Sequence, residues 1–210
     1  MSTEEPPAAS TPTPTPTSAP APDRRTLIAD TAIALVASSG LRGLTHRAVD
    51  GAAGLPAGST SYYFRTRTAL IAACYRRLAE LNVSEGPLEL PTDRDTAARA
   101  FGALLHHWLT AGRARQLARF ELSLEAARNP ELEPDLRQAG LAVRARAAAV
   151  LAALGAPDPQ ESAELLAAWT DGLLYDRLAG ALAHARPAPD PAELTATVRR
   201  MLDAVLDSSV

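Results

Sequence analysis

The residues best suited to polar recognition lie in one stretch, from Thr45 to Arg67. Arginines donate paired hydrogen bonds to phosphates or guanines, and hydroxyl groups bond either phosphates or base edges. Arg47 stands near the start of the stretch, and Arg65 and Arg67 stand at its end. Residues 57–64, at its centre, are mostly small or hydroxyl-bearing and include no Arg or Lys. The pattern indicates contacts with a nucleic acid in which charged residues flank a neutral segment.

Two short helices joined by a tight turn would hold these residues in place. Thr45 can cap the first helix, because its hydroxyl can accept an N–H group of the opening turn. Gly54 stands where the chain must leave that helix, and glycine adopts a left-handed conformation without a Cβ clash. Pro56 suits the first position of a second helix that runs to Phe64. This pattern predicts a helix-turn-helix, whose second helix enters the major groove of DNA.

The stretch resembles the DNA-binding signature of the tetracycline-repressor (TetR) family. The resemblance lies in Gly40, Leu44-Thr45, Arg47, Ala53-Gly54-Leu55, Gly58, Tyr62-Tyr63-Phe64 and Ala69-Leu70. It implies an all-α protein with a DNA-binding domain of three helices and a C-terminal helical domain that binds an effector and pairs with a second copy. By resemblance, Arg47 matches an arginine that reads a base in the founding member. The family more often has tyrosine where Ser61 stands and commonly lysine where Arg67 stands.

Eleven residues of the two helices and their flanks are predicted to contact DNA. Arg47 is the candidate for a bidentate bond to guanine, and the alternatives are a phosphate contact or an ion pair with Asp50. Tyr62 belongs either to the DNA face or to the core, because adjacent helical residues point about 100° apart. The predicted contacts are Thr45, His46, Arg47, Ala57, Gly58, Ser59, Ser61, Tyr62, Tyr63, Arg65 and Arg67.

Apolar residues recur at helical spacing along the rest of the chain, and no segment alternates with the period of a strand. About nine helices and no sheet are therefore expected. Residues 1–22 are rich in Pro, Thr and Ser and are predicted to be a disordered tail. Residues 23–67 form the predicted helix-turn-helix domain, and residues 68–210 the predicted effector-binding and dimerisation domain. Cys74 lies on an apolar stripe, which predicts a buried thiol.

The composition and the charge distribution restrict the functions that the protein can have. The chain of 210 residues has a single cysteine, so an intramolecular disulfide is impossible. Residues 23–81 carry eight Arg against four Asp and Glu, whereas residues 82–210 carry thirteen Arg against eighteen. A basic head on an acidic body suits a DNA-binding module attached to a body that does not bind DNA. The sequence shows no signal peptide and no run long enough to span a membrane, which predicts a cytoplasmic protein.

The apolar stripes of the C-terminal helices supply candidates for an effector site, although an aromatic stripe can equally be plain core. Glu121 falls on the same face as Leu117 and Leu124. It is either a buried carboxylate that needs a cationic partner, such as an arginine or the ligand, or an edge residue paired with an arginine. The predicted ligand contacts are Phe101, Leu105, His107, Trp108, Phe120, Glu121, Leu124, Trp169, Leu173 and Asp176.

The penultimate helix, predicted from Pro159 to His184, is apolar on two sides. Such a helix must be covered twice, once by its own domain and once by a second subunit. A central position within a monomer is the alternative. The predicted dimer contacts are Leu174, Tyr175, Leu178, Leu182, Val198, Met201, Leu202 and Val205.

Motifs of common enzymes are absent from the sequence, which has no P-loop, no GxSxG and no HExxH. The adjacent His106 and His107 lack the i,i+4 spacing of a helical metal pair, and neither a metal nor a cofactor is expected. The prediction is a homodimeric transcriptional regulator, a repressor that binds a palindromic operator and is released by a small-molecule effector. The alternative is an all-helical dimeric interaction or adaptor protein with a degenerate DNA-binding head.

Overall fold

The computed structural model describes residues 23–85 and 89–207. Within these ranges the chain forms nine α-helices, two short 3-10 helices and no strand, which confirms the all-α prediction. The α-helices are Arg24–Gly43 (α1), His46–Ala52 (α2), Ser59–Tyr63 (α3), Arg67–Glu85 (α4), Arg94–Leu109 (α5), Arg113–Ala126 (α6), Glu133–Ala153 (α7), Pro159–Leu178 (α8) and Pro191–Leu206 (α9). The predicted tail, residues 1–22, lies outside the described residues. No described helix is long and apolar enough to cross a membrane.

Helix α8 ends earlier than its apolar pattern predicts, at Leu178 instead of His184. The N–H of Gly180 bonds the carbonyl of Tyr175 at 2.9 Å, which turns the chain away from the helix axis. A Cβ atom at position 180 would lie 2.7 Å from the carbonyl oxygen of Asp176. Glycine is therefore required at this turn, and the apolar residues beyond it belong to a separate segment.

Two apolar cores hold the helices together. The first core joins α1, α2, α4 and one face of α6, and its buried members include Ile28, Val36, Leu44, Val49, Leu70, Cys74 and Leu122. The second core joins α5, α7, α8 and α9, and its buried members include Leu105, Leu151, Leu166, Leu174, Leu194, Val198, Leu202 and Val205. The opposite face of α6 packs against the second core through Leu117 and Phe120. Helix α6 is thus shared by both cores.

The prediction of a buried thiol is confirmed at Cys74. Its side chain lies in the first core with no exposed surface. Burial raises the pKa of the Cys74 thiol to about 12, so the thiolate needed for redox chemistry is scarce at neutral pH. Cys74 therefore serves as a small apolar residue in the packing of α4.

Candidate functional site

The short helix α3 is held against α2 by a buried carboxylate, that of Asp50. This side chain is 4% exposed. Its oxygens accept hydrogen bonds from the N–H of Gly58 at 2.8 Å, and from the N–H and hydroxyl of Thr60 at 2.7 and 2.6 Å. Burial alone would raise the pKa of Asp50, but the bonds from Thr60 and Gly58 outweigh burial and lower it. These bonds engage both oxygens of Asp50, and among the described residues no ion pair joins Asp50 to Arg47, so that alternative for Arg47 is wrong.

The start of α3 also differs from the prediction. The helix begins at Ser59, and Pro56 lies in the preceding turn instead of the first helical position. The carbonyl of Pro56 accepts bonds from the N–H of Ser59 at 3.1 Å and from its hydroxyl at 2.6 Å. Gly58 occupies the N-cap with φ of 90°, a left-handed conformation that favours glycine. Because Gly58 has no side chain, the Asp50 carboxylate from α2 supplies the cap.

One face of the α2–α3 unit is exposed and combines small, hydroxyl and basic residues. Tyr62 is 81% exposed, whereas Tyr63 and Phe64 pack against the first core, so the alternative that places Tyr62 in the core is wrong. The Tyr62 ring stands edge-on to the Tyr63 ring with centroids 5.1 Å apart. The exposed members of the predicted DNA-contact set are Thr45, Arg47, Ala57, Gly58, Ser61, Tyr62, Arg65 and Arg67. We call the first seven of these residues, all except Arg67, the reading face.

Two predicted contacts bond to the protein itself. His46 is half-buried, and its Nε2 lies 2.7 Å from the carbonyl oxygen of Phe64. Arg67 donates from Nη2 to the carbonyl of Leu41 at 2.8 Å, and its Nη1 lies 3.3 Å from Glu125. Arg67 thus connects the start of α4 with the end of α1 and with α6. With half-buried Ser59 and Tyr63, these residues support the reading face from behind.

A cavity of about 260 Å³ lies in the body, enclosed mainly by α4, α5, α6, α7 and α8. Its volume is just below the range of roughly 300–1,000 Å³ that is typical of small-molecule sites. The apolar lining includes Leu78, Val83, Phe101, Leu104, Trp108, Leu136, Val143, Val150, Leu151, Leu166 and Leu174. The polar lining consists of Tyr75, Asn82, Gln116, Arg119, Ser123, Arg144, Arg146, Thr170 and Asp171. A largely apolar cavity with a few polar groups is typical of an effector site.

Of the ten predicted ligand contacts, only Phe101 and Trp108 line this cavity. Three of the others lie inside the protein, with Leu105 buried in the second core and Phe120 and Leu173 packed against it. Glu121, Leu124 and Trp169 are exposed. Nε2 of His107 lies 3.3 Å from Oε1 of Glu85, and Asp176 forms an ion pair with Arg186.

On α6, the predicted ligand contacts and the cavity wall differ by a rotation about the helix axis. On α6 the cavity wall is polar and is formed by Gln116, Arg119 and Ser123. The apolar residues Leu117 and Leu124, which guided the prediction, point elsewhere because neighbouring helical positions differ by about 100°. A polar i, i+3, i+7 stripe on an otherwise packed helix is the signal that could have identified this wall.

Most of the predicted dimer contacts are also placed inside the chain. Leu174, Leu178, Val198, Leu202 and Val205 are buried in the second core, where α9 packs along α5 and α8 packs against α7 and α9. Met201 is partly buried against the same core. These six are therefore corrected from interface to core or core edge.

An exposed apolar stripe runs along the other side of α8. Tyr175 and Leu182, from the predicted dimer set, are 51% and 62% exposed. Trp169, predicted as a ligand contact, is 39% exposed on the same side. Leu165, Ala168, Trp169, Gly172 and Tyr175 are exposed and recur at helical spacing on α8, and Leu182 is exposed in the segment that follows the helix. We call these six residues the α8 stripe.

Comparisons with known proteins agree on the family. Residues 92–208 match the family described as Tetracyclin repressor-like, C-terminal domain. No match was found among curated proteins. A transcriptional regulator of known structure from Rhodococcus sp. Rha1 is 25% identical over 88% of this chain and 97% of its own, with a TM-score of 0.72.

Two further structures are similar. The multidrug binding protein EbrR, solved with ethidium, is 29% identical over 85% of this chain and 98% of its own, with a TM-score of 0.64. A member of the TetR family from Streptomyces coelicolor A3 is 27% identical over 86% of this chain and 98% of its own, with a TM-score of 0.63. Since the family match spans more than half of the sequence, the chain belongs to the tetracycline-repressor (TetR) family, whose members regulate transcription and are not enzymes.

Proposed function

We propose that this protein is a homodimeric repressor that binds a palindromic operator and leaves it when a small molecule enters the cavity. The observation that carries the proposal is the reading face, which is exposed, free of acidic residues and held rigidly from behind by Asp50. Helix-turn-helix proteins present their second helix to the major groove in this way. Family membership supports DNA binding, and the exposed reading face supports α2 and α3 as the part that binds.

The residues of the reading face suit close contact with the base edges more than charge pairing with phosphates. Ala57 and Gly58 are exposed and small, so the backbone at the start of α3 can lie close to the base edges. Ser61 and Tyr62 provide hydroxyl groups that can bond phosphates or bases. Arg47 on α2 provides the guanidinium for a bidentate bond to guanine, and Arg65 provides one for a phosphate. Specificity in this proposal depends on fit, hydroxyl groups and Arg47.

The α8 stripe is the proposed contact between the two copies. Its apolar side chains stand outside both cores, and a symmetric dimer would pair each stripe with its counterpart. Phe120 on α6 borders the stripe, since its ring packs against that of Tyr175 with the two centroids 5.6 Å apart. A dimer of this kind presents two copies of α3 about one DNA turn apart, which suits a palindromic operator.

The cavity is the proposed effector site. The similar protein EbrR is described as a multidrug binding protein and has structures with ethidium and with proflavin. Helix α6 lies between the cavity and the DNA-binding head, since Arg119 and Ser123 line the cavity while Ala118 and Leu122 are buried in the first core. A ligand that moves α6 would therefore move the packing of the head.

The experiment that tests DNA recognition compares wild type with Arg47→Ala on two duplexes. One is a palindrome from the DNA beside the gene, and the other has one base pair of each half-site changed. Arg47→Ala should weaken operator binding by roughly 1–3 kcal/mol and reduce the preference between the duplexes, measured by fluorescence anisotropy.

Arg76→Ala is the matched control, because it also removes one charge but its guanidinium pairs with Asp135 on the body. It should retain the wild-type preference between the duplexes. An Arg47→Ala protein with unchanged discrimination would contradict the proposed role of Arg47.

A further inference from the structure

We infer that the cavity binds an organic anion with an apolar body, held by the guanidinium groups of Arg119 and Arg144. The inference rests on the proposed function of the cavity as an effector site and names the chemical class of the effector. It follows from the charges that line the cavity and from the partners that those charges already have.

The charged lining is predominantly basic. Arg119, Arg144 and Arg146 are among the residues that line the wall. Among the described residues, Asp171 is the only acidic side chain that lines the cavity. The remaining surface is largely apolar, so a ligand must lose most of its hydration to enter. A charged ligand is therefore favoured only if the wall supplies charge of the opposite sign.

Arg119 is fixed in place and retains hydrogen-bonding capacity. Its Nε donates to Oε1 of Gln116 at 2.8 Å, and its Nη2 donates to Asp171 at 2.8 Å. Its guanidinium carbon also lies 4.4 Å from the centre of the Phe120 ring. Because a guanidinium has five N–H donors, these contacts leave Nη1 without a partner within residues 23–85 and 89–207. An oriented guanidinium of this kind suits a carboxylate, which accepts two parallel bonds.

Arg144 supplies a second donor from the opposite wall, on α7. Its Nε bonds Oε2 of Glu164 at 2.7 Å, and its Nη1 lies 3.4 Å from the carbonyl of Gly140. These contacts leave Nη2 as a donor in the described part of the chain. Glu164 itself is exposed and does not line the cavity. The carboxylate that pairs with Arg144 thus stands at the solvent side, while Arg144 itself lines the cavity.

A cationic ligand would meet the opposite conditions. The carboxylate of Asp171 is already bonded to Arg119, so it could pair with a cation only by breaking that bond. The cation would also lie near arginines of the same charge, which would repel it. The unused N–H donors of Arg119 and Arg144, with the one lining carboxylate already bonded, therefore favour an anion over a cation.

The test uses three probes that share a naphthalene ring and differ in charge. They are 1-naphthaleneacetate, 1-naphthaleneacetamide and 2-(1-naphthyl)ethylammonium, each titrated into the full-length protein by calorimetry at pH 7.5. The acetate should bind at least about tenfold more tightly than the neutral amide, which corresponds to about 1.4 kcal/mol. The ammonium probe should bind more weakly than the amide.

Two variants assign the preference to named residues. Arg119→Gln and Arg144→Gln should each weaken acetate binding by about tenfold and change amide binding by less than about twofold. If Arg119→Gln fails to fold, as judged by circular dichroism, Arg144→Gln alone carries the test, because its contacts lie nearer the surface. Arg76→Gln, on the outer side of α4, should leave all three affinities unchanged.

Three results would overturn the inference: equal binding of acetate and amide, tighter binding of the ammonium probe, or no binding of the acetate. None of these results affects operator binding by the unliganded protein, so the proposed function would stand with an effector of another class. Conversely, a protein that prefers the acetate but does not bind DNA would retain the anion site and lose the proposed function.

Discussion

The DNA-binding head and the helical body bury polar groups in different ways. In the head, Asp50 is buried and both of its oxygens accept hydrogen bonds from Gly58 and Thr60. In the body, a few polar side chains line a largely apolar cavity, and the Oδ1 atom of Asn82 is buried without a partner among the described residues. A fully satisfied buried group holds one geometry, whereas an unsatisfied one at a cavity gains from a ligand or a rearrangement. The head is thus built for rigidity and the body for response.

The strongest test of a rigid head is Asp50→Ala. The substitution leaves the N–H groups of Gly58 and Thr60 and the Thr60 hydroxyl without their acceptor. We expect a loss of about 2–4 kcal/mol in the free energy of unfolding, together with a loss of operator binding. Denaturant unfolding of both proteins measures the difference. Wild-type stability in the Asp50→Ala protein would show that Asp50 does not hold α3.

The Asp50→Asn variant gives the control and a pH dependence. Asparagine keeps one acceptor oxygen, so Asp50→Asn should lower the free energy of unfolding less than Asp50→Ala does. Since folding lowers the pKa of Asp50, its ionised form stabilises the head fully above its ordinary value of 3.8. This contribution disappears as the pH falls through the lower value of the folded protein. The stabilities of wild type and Asp50→Asn should therefore converge in acid.

A substitution in the α8 stripe should affect the fold little but should weaken the dimer. Trp169→Glu places a charge on a partly exposed site, so the monomer should keep its helices. If the stripe joins two copies, the dimer dissociation constant should rise by about 100-fold or more, as measured by sedimentation equilibrium. Leu141→Glu, at an exposed apolar position of α7, is the matched control and should remain dimeric. A dimeric Trp169→Glu protein would place the interface elsewhere.

The same comparison explains what could be predicted from the sequence. The head depends on local signals, and these were read correctly at Thr45, whose hydroxyl accepts the N–H of Ala48 at 3.1 Å, and at Gly54, whose φ is 63°. The role of Asp50 could not be read in this way. Its partners lie eight and ten residues away across a turn, and a buried aspartate follows no apolar period.

In the body, the helices were predictable but their rotations were not. Leu174 and Tyr175 are adjacent in sequence and were assigned to the same interface, yet one is buried in the second core and the other is exposed. Which side of α8 faces inward is decided by the helices packed against it, chiefly α7 and α9. The spacing of apolar residues and the composition describe one helix at a time. They do not show which other helix will pack against it. The cavity wall of Gln116, Arg119 and Ser123 was missed for the same reason.

The most direct test of the central claim is a titration of the full-length protein against two DNA duplexes of equal length. One contains the palindrome beside the gene, and the other has the same bases in scrambled order. We expect two chains per palindromic duplex and an affinity roughly 10³-fold or more above that for the scrambled duplex. The logarithm of the binding constant should fall linearly with the logarithm of salt concentration. Equal affinity for both duplexes, or no binding to either, would contradict the account.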